Sequence, residues 1–176
     1  MLSAFTNRHR NEEGFSLLEM MLATIILLVG LVAIAQLVPA SILLNFRNRT
    51  DSSSLVFAQR QLDQMVDQPL TKSSFLDADG HACNIGNPTP TNSVQGTTVV
   101  VWNGQTLIDF TSTVPGYNFI FPDPTDPNGT TYDVRWAVVV TGNGTNVFAK
   151  RFIVGVRQQG GNGYFQPITI ETLVAK

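Results

Sequence analysis

The sequence predicts an α+β protein: a long N-terminal α-helix, membrane-spanning in its first half, packed on a small antiparallel β-sheet head. Three observations carry this expectation. Residues 20–46 contain no formal charge. An apolar stripe at helical spacing follows over residues 39–68. From residue 97 onward, short β-like runs alternate with Gly/Asn turn clusters. The expected organisation is a polar leader at 1–14, a transmembrane helix at 15–38, an amphipathic helix at 39–68 and a β-rich head at 69–176.

Residues 20–38 read MMLATIILLVGLVAIAQLV, with Thr24 and Gln36 as the only polar side chains. About 20 apolar residues in a helix span the ~30 Å hydrocarbon core of a bilayer. A small soluble core would hardly bury a helix that is apolar on every face. A cleaved secretory signal is disfavoured, because the apolar run exceeds the usual 7–15 residues. Glu19 breaks the pattern as the fifth residue from Phe15. A carboxylate inside a membrane helix is costly and normally has a partner. No basic residue lies within helical reach of it in this segment, so the partner would come from outside the helix or from a new amino terminus.

Pro39 removes a helical hydrogen-bond donor and predicts a kink or local unwinding; Gly30 is a second weak point. Beyond it, Leu55, Ala58, Leu62, Met65 and Val66 form one stripe, with Gln59, Arg60, Gln61, Asp63, Gln64 and Asp67 mostly elsewhere. Pro69 closes the helix. Residues 15–67 would extend ~80 Å if continuous, at ~1.5 Å per residue. Residues 70–96, rich in Thr, Ser, Asn, Pro and Gly, read as irregular loop. The expected strands are 97–102, 105–111, 132–141, 147–157 and 164–173. In the third, Val134, Trp136, Val138 and Val140 alternate with Arg135, Ala137 and Val139, a half-buried pattern. Turn clusters at 141–146 and 158–163 should join the last three into an antiparallel meander.

Composition narrows the function. Charged residues make up 14% of the 176 residues and the net charge is −2, which speaks against a basic nucleic-acid-binding face. The single cysteine, Cys83, excludes an intrachain disulfide and a multi-thiolate zinc site. Two histidines, His9 and His81, cannot make a three-histidine metal centre. His81 and Cys83 beside Asp77 and Asp79 could be read as a metal or thiol site, but a nucleophilic cysteine needs an activating base and an oriented third group. Asp123, Asp126, Asn128 and Asp133 form an oxygen-rich stretch that could hold calcium. The spacing is not that of an EF-hand, and turn chemistry is the better explanation of the composition. Asn48, Asn128 and Asn143 match the glycosylation acceptor pattern and read better as turns. Lys150 and Arg151, adjacent in a strand, point to opposite faces. No phosphate loop, nucleophile elbow or credible carboxylate pair is present, so no catalytic site or cofactor is expected.

The motif Gly14-Phe15-Ser16-Leu17-Leu18-Glu19, set directly before the apolar helix, resembles the processing site of type IV prepilins and type II secretion pseudopilins. The resemblance implies cleavage between Gly14 and Phe15 by a prepilin peptidase, N-methylation of Phe15, and Glu19 as the assembly carboxylate. Arg8 and Arg10 in the short leader also match. Since Arg47 and Arg49 follow the span, charge counting alone does not orient it. The resemblance places the leader in the cytoplasm, the helix in the inner membrane and the head in the periplasm, reaching a pilus or the cell surface after assembly. It implies other pilin or pseudopilin subunits, the peptidase and membrane lipid as partners, and a helix able to melt near Pro39 in a filament. In the head, Tyr132-x-Val134-x-Trp136, then 150–156 and 168–175, resemble PilV-type minor pilins and I-type pseudopilins, with Arg157 where that family often has tryptophan. The expected function is a structural, non-enzymatic minor pilin. A secretion pseudopilin, a pilus-borne binding or adhesion module using residues 70–131, and a membrane-tethered enzyme are the rivals.

Overall fold

The structure, a computed structural model, describes residues 14–89, 92–123, 129–160 and 166–175. The leader arginines Arg8 and Arg10, and Asp126 and Asn128 of the oxygen-rich stretch, lie outside the described residues. The element order is α1 (Leu17–Val66), β1 (Ser74–Leu76), β2 (Ala82–Asn84), β3 (Val94–Gly96), β4 (Val99–Trp102), β5 (Gln105–Ile108), β6 (Asn118–Pro122), β7 (Thr131–Gly142), β8 (Val147–Gln159) and β9 (Ile168–Ala175). The fold is α+β, and the chain divides into two compact units, Met1–Asn45 and Phe46–Lys176.

In the first unit the described residues from Leu17 onward are helical and exposed. The helix is long and apolar enough to cross a membrane. Pro39, where a kink or local unwinding is expected, lies inside α1, with helix assigned on both sides of it. A proline deletes one ladder bond, and turns on either side can hold the helix together where apolar surroundings offer no competing water.

In the second unit, the last turns of α1 lay Ala58, Leu62 and Met65 against the sheet, where they join Val134, Trp136, Val138, Val140, Phe152, Val154 and Val156 in one core. The stripe keeps the expected Ala58, Leu62 and Met65 and differs at its N-terminal end. Leu55 is exposed, whereas Thr50, Ser54 and Gln61 are buried. The helical spacing of 50, 54, 58, 61, 62 and 65 therefore defines the buried face.

The main sheet has the order β3-β7-β8-β9, with β6 also paired to β7. The β7–β8–β9 meander is antiparallel throughout. Its first turn is fixed by Asn143, whose Oδ1 accepts from the backbone N–H of Thr145 (3.1 Å) and Asn146 (2.7 Å). Three strands appear within the expected loop, namely β1, β2 and β3, and β6 was not expected at all. Their backbones are tied by distant segments, as in Ile85 N–H to Ser73 O (2.8 Å) and Asn84 N–H to Gly116 O (2.8 Å), which no local periodicity reveals.

The β4–β5 hairpin turns at Asn103-Gly104, both with positive φ (49° and 78°), the conformation of a type I′ turn. This hairpin lies on the face of the main sheet opposite α1, where Ile108 packs with Ala137 and Ile153. Gly155 permits the close approach: a Cβ there would sit 2.6 Å from the Cβ of Ile108. Because of this cover β7 is buried on both faces, not half-buried, and Arg135 and Ala137 are as inaccessible as their neighbours.

Candidate functional site

Ser16 starts α1. Its Oγ accepts from the Leu18 N–H (3.3 Å), and its carbonyl accepts from Glu19 N–H (3.0 Å) and Met20 N–H (3.1 Å). Ser16 is thus the N-cap of α1, its hydroxyl bonding the second helical N–H. Gly14 and Phe15 precede the helix, and Phe15 is 76% exposed. A bond between Gly14 and Phe15 therefore sits in non-helical chain, with nothing among the described residues within 4 Å of where a Gly14 Cβ would be. Glu19 occupies the first helical turn, where the helix dipole favours a negative charge.

The Asp77–Asp79–His81 group brings its ligand-type atoms within 4.8 Å of one another. Those atoms are already engaged. Asp77 Oδ1 accepts from Asp79 N–H (2.9 Å) and His81 N–H (2.7 Å), and Oδ2 lies 2.8 Å from His81 Nδ1. Asp79 pairs with Arg60 at 2.9 Å. The imidazole stacks on Phe119 at 4.5 Å between centroids. The arrangement is a side-chain-bonded turn that fastens β1 and β2 to α1 and β6.

Cys83 does not face that imidazole. Its Sγ accepts from Gln61 Nε2 (3.4 Å) and lies 3.6 Å from the His81 carbonyl. Burial pushes the thiol up to about 11, against a partial lowering by Gln61, so it is a thiol and not a thiolate at neutral pH. Asp123 and Asp133, expected together in the oxygen-rich stretch, are separated. Tyr132, whose hydroxyl lies 3.5 Å from Asp123 Oδ2, and Asp133 are adjacent in β7 and point to opposite faces. Asp133 is withdrawn from any calcium set by its own partners.

Those partners form a buried ionic group that was not anticipated. The Asp133 carboxylate accepts from Arg135 Nε (2.9 Å) and Nη2 (2.8 Å), Gln159 Nε2 (2.9 Å) and Arg157 Nη2 (3.3 Å). Arg135 Nη1 also donates to the Ser112 carbonyl (2.7 Å), and both guanidinium carbons lie over the Phe110 ring, at 5.1 and 4.8 Å. The signal was available: Asp133 and Arg135 are two apart in a strand and so share a face.

Lys150 is the second buried charge. Its Nζ donates to the carbonyls of Lys72 (2.5 Å) and Gly86 (3.3 Å), tying both loops to β8, while Arg151 turns outward to Thr106 and Glu171. Burial lowers the ammonium to about 8. The unfolded lysine holds its proton to about 10.4. Between these values the unfolded state binds more protons, so this group makes stability rise with pH. Cys83 acts in the opposite sense, its unfolded thiol ionising near about 8.5 and its native thiol at about 11. In a Cys83→Ala background, the urea midpoint is expected to rise between pH 8 and about 10, and Lys150→Met to abolish the rise.

Residues 9–35 match the family described as the prokaryotic N-terminal methylation motif, characteristic of type IV pilin-like proteins. No curated protein and no solved structure matches the chain.

Proposed function

We propose that this chain is a structural minor pilin of the PilV type, anchored in the inner membrane by its N-terminal helix and packed through that helix into a type IV pilus. The observation that carries the reading is the methylation motif at residues 9–35 running directly into an exposed apolar helix. In this reading a prepilin peptidase cuts between Gly14 and Phe15, and the new Phe15 amino group is methylated. The Phe15 ammonium of one subunit and the Glu19 carboxylate of another neutralise each other in a low-dielectric setting. Such a pair fixes register more than it adds raw stability, and breaking one partner leaves an uncompensated charge worth about 3–5 kcal/mol. The head stays outside the membrane, in the periplasm. The coarser statement, a type IV pilin-like or pseudopilin protein, rests on the motif itself.

The test is a pair of substitutions. Glu19→Gln preserves the capping-box residue type and removes the charge, whereas Glu19→Ala removes both. Both variants are expected to remain processed and membrane-bound while their content in sheared filaments falls roughly a hundredfold, the equivalent of about 3 kcal/mol. Normal incorporation of the glutamine variant, with loss only for alanine, would reduce Glu19 to a helix cap.

A further inference from the structure

The chain enters α1 abruptly. Gly14, Phe15 and Ser16 are exposed and non-helical, and helix is assigned from Leu17. Ser16 makes the change. Its Oγ accepts from Leu18 N–H (3.3 Å), and its carbonyl accepts the first intrahelical bonds, from Glu19 N–H (3.0 Å) and Met20 N–H (3.1 Å). The leading N–H groups of a helix lack partners within it, and a serine at this position satisfies one of them. Because these residues are exposed, no tertiary packing fixes where the helix begins. Only local preferences do. Gly14 opposes helix through its backbone entropy, whereas Phe15 is tolerated in one. The start of α1 is therefore held just beyond the Gly14–Phe15 bond by two weak devices, the Gly14 backbone and the Ser16 hydroxyl.

We infer that Ser16 is a positioning residue for processing: its cap keeps the helix from running back through Gly14–Phe15, so that the bond to be cut stays in open chain. The inference rests on the processing reading above and adds to it what makes the bond presentable. A peptidase grips extended chain, whose backbone N–H and C=O groups are free to pair with the enzyme. In a helix those groups are bonded to one another. Alanine in place of Ser16 acts twice, since it removes the capping oxygen and is the best helix former. The helix can then start upstream, with Gly14 and Phe15 inside it. An ordinary cap sets the ratio of the two starts by about fivefold. Asparagine caps as well as serine through a different group. Glycine offers no side chain at all, yet it is tolerated as a cap and resists the helix interior. The cap account thus ranks Ser16→Asn level with the native chain, Ser16→Gly slightly below it and Ser16→Ala last.

The experiment gives a purified prepilin peptidase the uncut full chain in detergent micelles and follows intact mass with time. For Ser16→Ala, kcat/KM is expected to fall by about two- to fivefold, the loss lying in KM because only the open fraction of the substrate binds. Ser16→Asn should be cut like the native chain, and Ser16→Gly nearly so. In the uncut chain, the Cα chemical shifts of Gly14 and Phe15 should move towards helical values for Ser16→Ala alone. A native chain that is cut, with Ser16→Ala cut equally fast, would overturn the inference and leave the processing reading standing. So would an equal fall in all three variants, which marks a peptidase contact with the hydroxyl, or shifts that alanine leaves unmoved. A native chain left uncut would overturn both.

Discussion

Replacing Asp133 by alanine is expected to destabilise the head by about 3–5 kcal/mol, the range for removing one member of a buried ion pair. The carboxylate is 1% exposed and carries four hydrogen bonds from three side chains. Without it, Arg135 keeps the Ser112 carbonyl and the Phe110 ring, neither of which is anionic. The loss therefore comprises the pair and the stranding of a buried guanidinium. Urea unfolding of the full chain in micelles measures it, since both tryptophans lie in the head and report its unfolding by fluorescence. A companion variant separates charge from packing. Asp133→Asn keeps the shape and one acceptor, and it should recover only part of the loss, because the buried arginine remains unneutralised.

Trp136→Ala is expected to cost about 3–5 kcal/mol by a different route, the removal of a large fully buried side chain that leaves a cavity. The indole is completely inaccessible and sits near Tyr117 (6.2 Å) and Phe119 (5.8 Å) between ring centroids. Its Nε1–H donates to the Asn84 carbonyl at 2.7 Å, so the truncation also orphans an acceptor that holds β2 in place. Trp136→Phe keeps most of the apolar volume and should lose about 1–3 kcal/mol, the scale of one unsatisfied buried group. Circular dichroism in urea checks both. Trp136 and Asp133 face opposite sides of β7, with no shared partner, so their effects should be close to additive.

Both residues bear on how much of the molecule was readable beforehand. The apolar helix and the alternation around Trp136 are local, and their periods of 3.6 and 2 are written into the order of residues. In the β7–β8–β9 meander the first turn lies where its Gly/Asn cluster is expected, while residues 161–163 of the second cluster lie outside the described residues. The rest depends on distant cover. Arg135 reads as the wet side of a strand until Phe110 and the β4–β5 hairpin close over it. β1, β2 and β6 are only three to five residues long, too short for a period to show, so intrinsic preference says little about them. Leu55 was placed inward with Ala58, Leu62 and Met65, but the polar Ser54 and Gln61 take the buried positions beside those three; Gln61 makes its bond to the Cys83 sulfur. In the candidate site, Gly14, Phe15 and Glu19 stand together because the motif is contiguous, and the matched residues 9–35 span them. The Asp123–Asp133 grouping was not, because neighbours in a strand end on opposite faces.

The central claim is that the chain enters the pilin pathway through its N-terminal segment. Its most direct test is the intact mass and N-terminal sequence of the protein taken from membranes of cells with and without a prepilin peptidase. The account predicts a mature chain beginning at N-methylated Phe15 when the peptidase is present, and an uncut chain beginning at Met1 when it is absent. A Met1 terminus in both would contradict it and leave a plain single-span anchored head.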